Sequence, residues 1–399
     1  MRVNLASFTG MHPLHLAREL ANAGVLAKYY SALPRFRIRG LPRTLVASHP
    51  ALIAPHFLLR RAGLRTLDTR LIWTTTEAFD RWLCRTQGPS DVLHVLAGFG
   101  LRAIRRANAK GILTVCDRAS SHIRFQDEIL RDEFSRWGVA YPGIDSRFVT
   151  KEQAEYDEAA LVVVPSRFAR ESFLQMGVDG RKVVAVPFGV SAQDFYPVTK
   201  RDDVFRVLCV ASLTVRKGHG YLLEATTRLA LPNSEVVLRG VSFPESRPIL
   251  ARYEGHFRLS APVPRRISRD AVARERAELR DLYSQASVLV LASVEEGLAY
   301  VMGEAMACGV PVIATTNTGA MDLITDGKEG FIVPVRDVAA ISDRLDYLYR
   351  HPEERAAMGR AAIEKARSLT WAQYARRMCD LYRDRLDGSQ ARSREATAS

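Results

Sequence analysis

Short apolar runs of strand length recur along this chain, each bounded by Gly, Pro or polar residues and most followed by a stretch with helical spacing. Residues 1–8 open the series, and Pro13 to Gly24 follows as a helix with Leu14, Leu16, Ala17, Leu20 and Ala21 on its apolar side. Further runs stand at Val92–Leu96, Ile112–Cys116, Leu161–Pro165 and Val183–Pro187. A second series begins at Arg206–Val210 and continues through Val236–Arg239, Val288–Ala292, Val312–Thr315 and Gly330–Val333. Apolar strands that alternate with helices predict parallel sheets covered on both faces.

The two series rhyme internally. Leu161 to Ser166, then a helix ending near Gly177, parallels Val288 to Ser293, then a helix ending at Gly309. A length of 399 residues exceeds what one ordinary core serves. The pattern therefore predicts two Rossmann-like α/β domains, over 1–195 and 204–370, with a hinge in the polar segment Gln193–Asp203. A C-terminal helix over 371–385 is placed to pack back on the first domain. Residues 386–399 have almost nothing to bury and are expected to be disordered.

Composition adds one unusual fact. Lys and Arg number 57 against 44 Asp and Glu, a net charge of +13, which points to an anionic partner such as a phosphate-bearing substrate or a membrane surface. No nucleic-acid-binding signature accompanies the charge. The five cysteines are dispersed, with no Cys-x-x-Cys pair, as in a reduced cytoplasmic protein without a zinc framework. No uncharged apolar run reaches transmembrane length, and the first residues read as a strand rather than a signal peptide. From Pro34 to Leu67 there are seven arginines (Arg35, Arg37, Arg39, Arg43, Arg60, Arg61 and Arg65) and no acidic residue. This basic lobe, 34–67, suits contact with an anionic membrane surface, as in a protein peripheral to the inner face of the cell membrane, or is simply a cationic surface over a buried apolar stretch.

The densest chemistry lies in the β-α-β unit 288–314. Glu296 sits in the loop after the strand, and Glu304 follows with seven residues between them, in the first turns of the helix. The loop Gly297-Leu298-Ala299 opens that helix, so free backbone N–H groups suit a phosphate or a sugar hydroxyl. Arg216-Lys217-Gly218 lies between a strand and an apolar helix, where such loops face the cleft.

These motifs, with Pro187-Phe-Gly-Val and Gly319 to Pro334, resemble those of the family-4 glycosyltransferases. The resemblance covers most of the chain and implies the GT-B architecture, two facing Rossmann-like domains with a cleft between them. It implies a retaining transfer from a nucleotide diphosphate-sugar to a hydroxyl on a glycan or lipid-linked acceptor, in polysaccharide or lipopolysaccharide assembly, with no metal and no other cofactor. By the same resemblance Glu296 bonds hydroxyls of the transferred sugar, Glu304 holds the ribose and Lys217 meets the diphosphate, with Arg216 as a second candidate. His122 falls where the family carries a cleft histidine, and Gly10 matches a glycine loop at the diphosphate. The chain departs from the family at Ala211-Ser212, where a Gly-Arg pair is usual, and at Ala299, usually glycine.

Two alternatives stay open. Gly98-Phe-Gly100 after a strand, with Asp117 nineteen residues beyond Gly98, satisfies a dinucleotide fingerprint and would suit an NAD(P)-dependent oxidoreductase. A nucleotide-sugar-binding scaffold with little transfer would suit the missing arginine and Ala299.

Overall fold

A computed structural model describes the chain over residues 1–62, 64–260 and 269–398. The first sheet comprises β1 (Val3–Ala6), β2 (Leu26–Ser31), β3 (Val46–Ser48), β4 (Val92–Leu96), β5 (Leu113–Asp117), β6 (Leu161–Val164) and β7 (Val183–Ala185). Its strands are all parallel, in the order β3-β2-β1-β4-β5-β6-β7. The helices of this half are α1 (Met11–Asn22), α2 (Ala54–Arg61), α3 (Arg65–Thr86), α4 (Leu101–Asn108), α5 (Ile123–Arg136), α6 (Ser146–Glu158) and α7 (Arg167–Gln175).

The second sheet comprises β8 (Phe205–Val210), β9 (Ser234–Arg239), β10 (Arg258–Ser260), β11 (Val288–Leu291), β12 (Val312–Thr315) and β13 (Gly330–Val333), ordered β10-β9-β8-β11-β12-β13. Around it lie α8 (His219–Leu229), α9 (Arg247–Ala251), α10 (Arg269–Ser284), α11 (Tyr300–Ala307), α12 (Val338–Arg350) and α13 (Pro352–Ser368). Strands β6, β8 and β11 are buried along their whole length, which is why each reads as a continuous apolar run. In both sheets the strand order reverses at the first strand, between β1 and β4 and between β8 and β11. Loops leaving the carboxyl ends of those strands line the crevice where such sheets bind ligands.

The expected strands recur in the structure, but β2, β3 and β10 were not anticipated. Lys28 interrupts the apolar pattern of β2, while β3 and β10 are three-residue edge strands with little burial.

The chain then returns to its first domain. Val190 N–H donates to the Leu369 carbonyl at 2.6 Å, and α14 (Trp371–Ala398) follows. His15 on α1 stacks on Trp371 with ring centroids 4.2 Å apart, and Tyr382 sits fully buried with its hydroxyl 2.7 Å from His94 Nδ1 in β4. Residues 386–398, expected to be disordered, instead continue α14 to Ala398. Extending an existing helix through Ala, Arg, Gln and Glu needs no new nucleus and no buried face. Among the described residues no helix is long and apolar enough to cross a membrane.

Because His94 is wholly buried, Tyr382→Phe strands its ring nitrogen. Urea denaturation should show a loss of about 1–3 kcal/mol, and an unchanged midpoint would show that the contact carries no stability.

Candidate active site

The site begins with two glycines that admit no side chain. Gly218 closes the turn after β8 in the left-handed region (φ 63°), and a Cβ there would lie 1.9 Å from the Ala292 carbonyl oxygen. That approach seats Arg216 and Lys217 against the loop leaving β11. Lys217 Nζ pairs with Glu296 Oε2 in direct contact, and Arg216 Nε lies 2.7 Å from Glu295 Oε2. Arg216 also donates to the Glu295 carbonyl at 2.9 Å and places Nη2 3.7 Å from Glu296 Oε1. Two cations and two carboxylates thus neutralise one another at the start of α11.

The second glycine brings the other domain in. A Cβ at Gly297 would lie 2.1 Å from the Ala119 carbonyl oxygen, so the loop after β11 touches the loop after β5 backbone to backbone. Ser166 Oγ, at the start of α7, donates to the Gly297 carbonyl at 2.6 Å. Fully buried between the domains, Glu295 accepts from Ser120 Oγ and Ser121 Oγ at 2.7 Å each, from Ser121 N–H at 3.2 Å and from Gln126 Nε2 at 2.8 Å. Burial favours its neutral form, but the Arg216 charge and these hydrogen bonds outweigh burial and hold the carboxyl down at about 2. Burial and the Arg216 charge bring the Lys217 amine down to about 7.

Most of the residues expected at the site do converge. Glu296, Lys217, Arg216 and Gly297 form one cluster, with Leu298 and Ala299 buried beside it. Glu304 lies one helical stretch further on, accepts from Tyr283 OH at 2.8 Å, and has its pKa raised by burial. Two residues do not join them. His122 is 2% exposed, packs on Tyr156 and Phe173, and caps α5 by accepting from Arg124 N–H at 3.2 Å. The loop gives Ser120 and Ser121 to the cleft, and the next side chain turns into the core. Burial and two arginines lower its pKa to about 4. Gly10 is helical (φ −61°), and a Cβ there would make only ordinary contacts with Leu14 and Leu33, so that position does not require glycine.

Several polar residues of the cleft carried no motif. Asp117 Oδ2, at the end of β5, lies 2.6 Å from His12 Nε2 and 2.9 Å from His94 Nε2, all three fully buried. Glu133 on α5 accepts from Tyr221 OH at 2.8 Å and pairs with Arg336 Nε at 2.6 Å, a second buried carboxylate joining the domains. Isolated histidines and glutamates give no sequence signal until the fold brings them together.

The glycines at 98 and 100 are already occupied. Their backbone N–H groups both donate to the Glu155 carboxylate, at 2.8 Å for Gly100, and a Cβ at Gly100 would strike Val95 Cγ1 at 2.3 Å. Asp117, the matching ribose carboxylate, is bound by two histidines. The fingerprint therefore describes an internal turn and not a dinucleotide site. Among the described residues no group of three or more His, Cys, Asp or Glu is placed to hold a metal ion.

Two facing parallel-sheet domains with clustered charges across their cleft define the GT-B fold. Similarity to solved structures agrees: sucrose-phosphate synthase from Thermosynechococcus elongatus aligns with a TM-score of 0.66 over 97% of this chain and 100% of that one, at 19% identity. HepE from Anabaena, in complex with UDP-glucose, aligns at 0.63 over 96% and 100%, at 15% identity. Residues 204–351 match the family Glycosyl transferases group 1. Among curated relatives, a D-inositol 3-phosphate glycosyltransferase of Kribbella flavida is 29% identical over 61% of this chain and 60% of its own length. The putative glycosyltransferase EpsD of Bacillus subtilis is 27% identical over 63% and 65%. These matches span less than two thirds of either relative.

Glu155 supplies a pH-dependent test of the internal turn. Burial, only partly offset by Lys151 and the two amides, raises its pKa to about 8. The folded state therefore binds more protons than the unfolded state between the ordinary carboxyl value of 4.5 and about 8, and stability falls as pH rises through that window. Glu155→Gln should remove this slope of up to about 1.4 kcal/mol per pH unit, measured by urea denaturation at pH 5.5 and 8. Equal pH dependence in both proteins would contradict it.

Proposed function

We propose that this protein is a retaining, metal-independent glycosyltransferase that moves a sugar from a nucleotide diphosphate-sugar to a hydroxyl acceptor. The observation that carries the proposal is the Lys217–Glu296 ion pair at the start of α11, with Glu304 on the same helix. Lys217 would meet the departing diphosphate and Arg216 would add a second charge, which matters most where developing charge is stabilised in a dry cleft. Glu296, released from Lys217 when the diphosphate arrives, would accept from hydroxyls of the transferred sugar, and Glu304 from the ribose. The diphosphate itself would take the acceptor's proton on the same face, so no enzymic general base is named. The uridine diphosphate sugar bound by HepE makes UDP-sugars the first donors to try.

The acceptor is a glycan or lipid-linked hydroxyl of cell-surface polysaccharide assembly, and the protein acts in the cytoplasm at the inner face of the membrane. Support comes from the lobe 34–67, where Phe36 is 66% and Leu58 69% exposed and the Arg37 guanidinium lies 4.2 Å over the Phe57 ring. The side chains of Arg60 and Arg65 lie outside the described residues. Apolar tips among arginines, in a segment without an acidic residue, suit an anionic bilayer, at about 1 kcal/mol for each basic residue near the surface. A scaffold with little transfer keeps the same donor site but has no turnover to lose.

UDP should stabilise the protein in a thermal melt, and Lys217→Ala should abolish the shift; a shift given only by NAD or NADP would refute the proposal. Glu296→Ala should lower turnover by at least about a hundredfold, with EDTA without effect, whereas a scaffold would show no turnover in either protein. Burial and the Arg216 charge lower the Lys217 amine to about 7, so UDP affinity should weaken between pH 7.5 and 9 by up to tenfold per unit. Calorimetry on Lys217→Arg should show that dependence removed.

A further inference from the structure

Glu295 takes no part in the chemistry proposed for its neighbour, yet it is one of the side chains through which the two halves of the cleft hold each other. It belongs to the C-terminal domain, and four of its hydrogen-bond donors belong to the N-terminal one: both serine hydroxyls, the Ser121 amide and Gln126. The cradle is itself braced from behind. Arg118 donates to the Ser121 carbonyl at 3.1 Å and to Gln126 Oε1 at 2.8 Å, and pairs with Glu152 at 2.8 Å. That fixes Gln126 with its amide nitrogen toward Glu295.

Arg216 depends on the same arrangement. Its Nε faces the Glu295 carboxylate and carbonyl, while Nη2 donates to Ser120 Oγ at 3.1 Å, so its direction is set by groups from both domains. An ionised carboxylate is worth burying only while its partners stay in place. Opening the cleft would strip four donors from Glu295 and the Ser120 contact from Arg216 in one movement. Ser212, five residues before Lys217, is exposed and uncharged, so Arg216 is the cation on this loop that can stand beside Lys217.

We propose that Glu295 is a positioning residue: seated in the Ser120–Ser121–Gln126 cradle, its carboxylate holds the domains closed and aims Arg216 at the place where the donor's diphosphate binds. The part concerning the diphosphate rests on the glycosyltransferase proposal; the closure does not.

The test is small-angle X-ray scattering on the full chain, comparing wild type with Glu295→Gln, Glu295→Ala and the double variant Ser120→Ala/Ser121→Ala, each first checked for folding by circular dichroism. The radius of gyration should increase in Glu295→Ala and in the serine double variant, with Glu295→Gln in between, because its amide oxygen still accepts from the serines. Scattering identical to wild type in all three would overturn the closure. If Glu295→Ala fails to fold, the serine variant, which leaves Glu295 and Arg216 in place, decides alone. Calorimetric titration with UDP supplies the second readout. Affinity should fall about tenfold in the opened variants, as the competent closed fraction shrinks, and saturating UDP should restore compact scattering. Opened variants that bind UDP as tightly as wild type would overturn the positioning role. Should wild type bind no UDP, the donor proposal fails while the scattering comparison still judges Glu295.

Discussion

A buried carboxylate must be paired, and in this protein the groups that pair Glu295 come from two different domains. Much of the cleft's geometry follows from that constraint. The loop after β11 can reach the loop after β5 only because Gly297 has no side chain to collide with Ala119. Lys217 and Arg216 can reach that loop only because Gly218 fits against Ala292. Within the C-terminal domain the two cations and two carboxylates then cancel as internal ion pairs. Under the proposed function a diphosphate would replace carboxylates as the partner of those cations, and that exchange would free Glu296 for the sugar.

The parallel sheets were legible in the sequence because their strands are buried on both faces. Leu161–Val164 and Val288–Leu291 could hardly be anything else. The cluster of Glu296, Lys217 and Arg216 was legible too, since strand-to-helix loops at a reversal of strand order fall on one crevice. What escaped were elements with weak burial, such as β3 and β10, and the continuation of α14, where helix propagation needs no apolar face.

Side-chain direction was the harder matter. His122 follows Ser120 and Ser121 directly, but two residues of the loop go to Glu295 and the third goes to the core as a helix cap. No local pattern distinguishes those destinations. Gly98 and Gly100 satisfied a phosphate-binding spacing, yet Glu155, more than fifty residues later, supplies the hydrogen-bond acceptor from within the chain. The His12–Asp117–His94 group joins three segments with no shared motif, and Glu295 is simply the residue before a recognised glutamate. Spacing locates a loop, whereas the groups arriving from the opposite domain decide what each residue on it can do.

The most direct test is a crystal structure of the full chain with UDP bound. The diphosphate should lie on Lys217 and Arg216, with Glu296 detached from Lys217 and free toward the sugar position, and Glu295 still in its serine cradle. A nucleotide bound elsewhere, or bound with the Lys217–Glu296 pair intact, would contradict this arrangement.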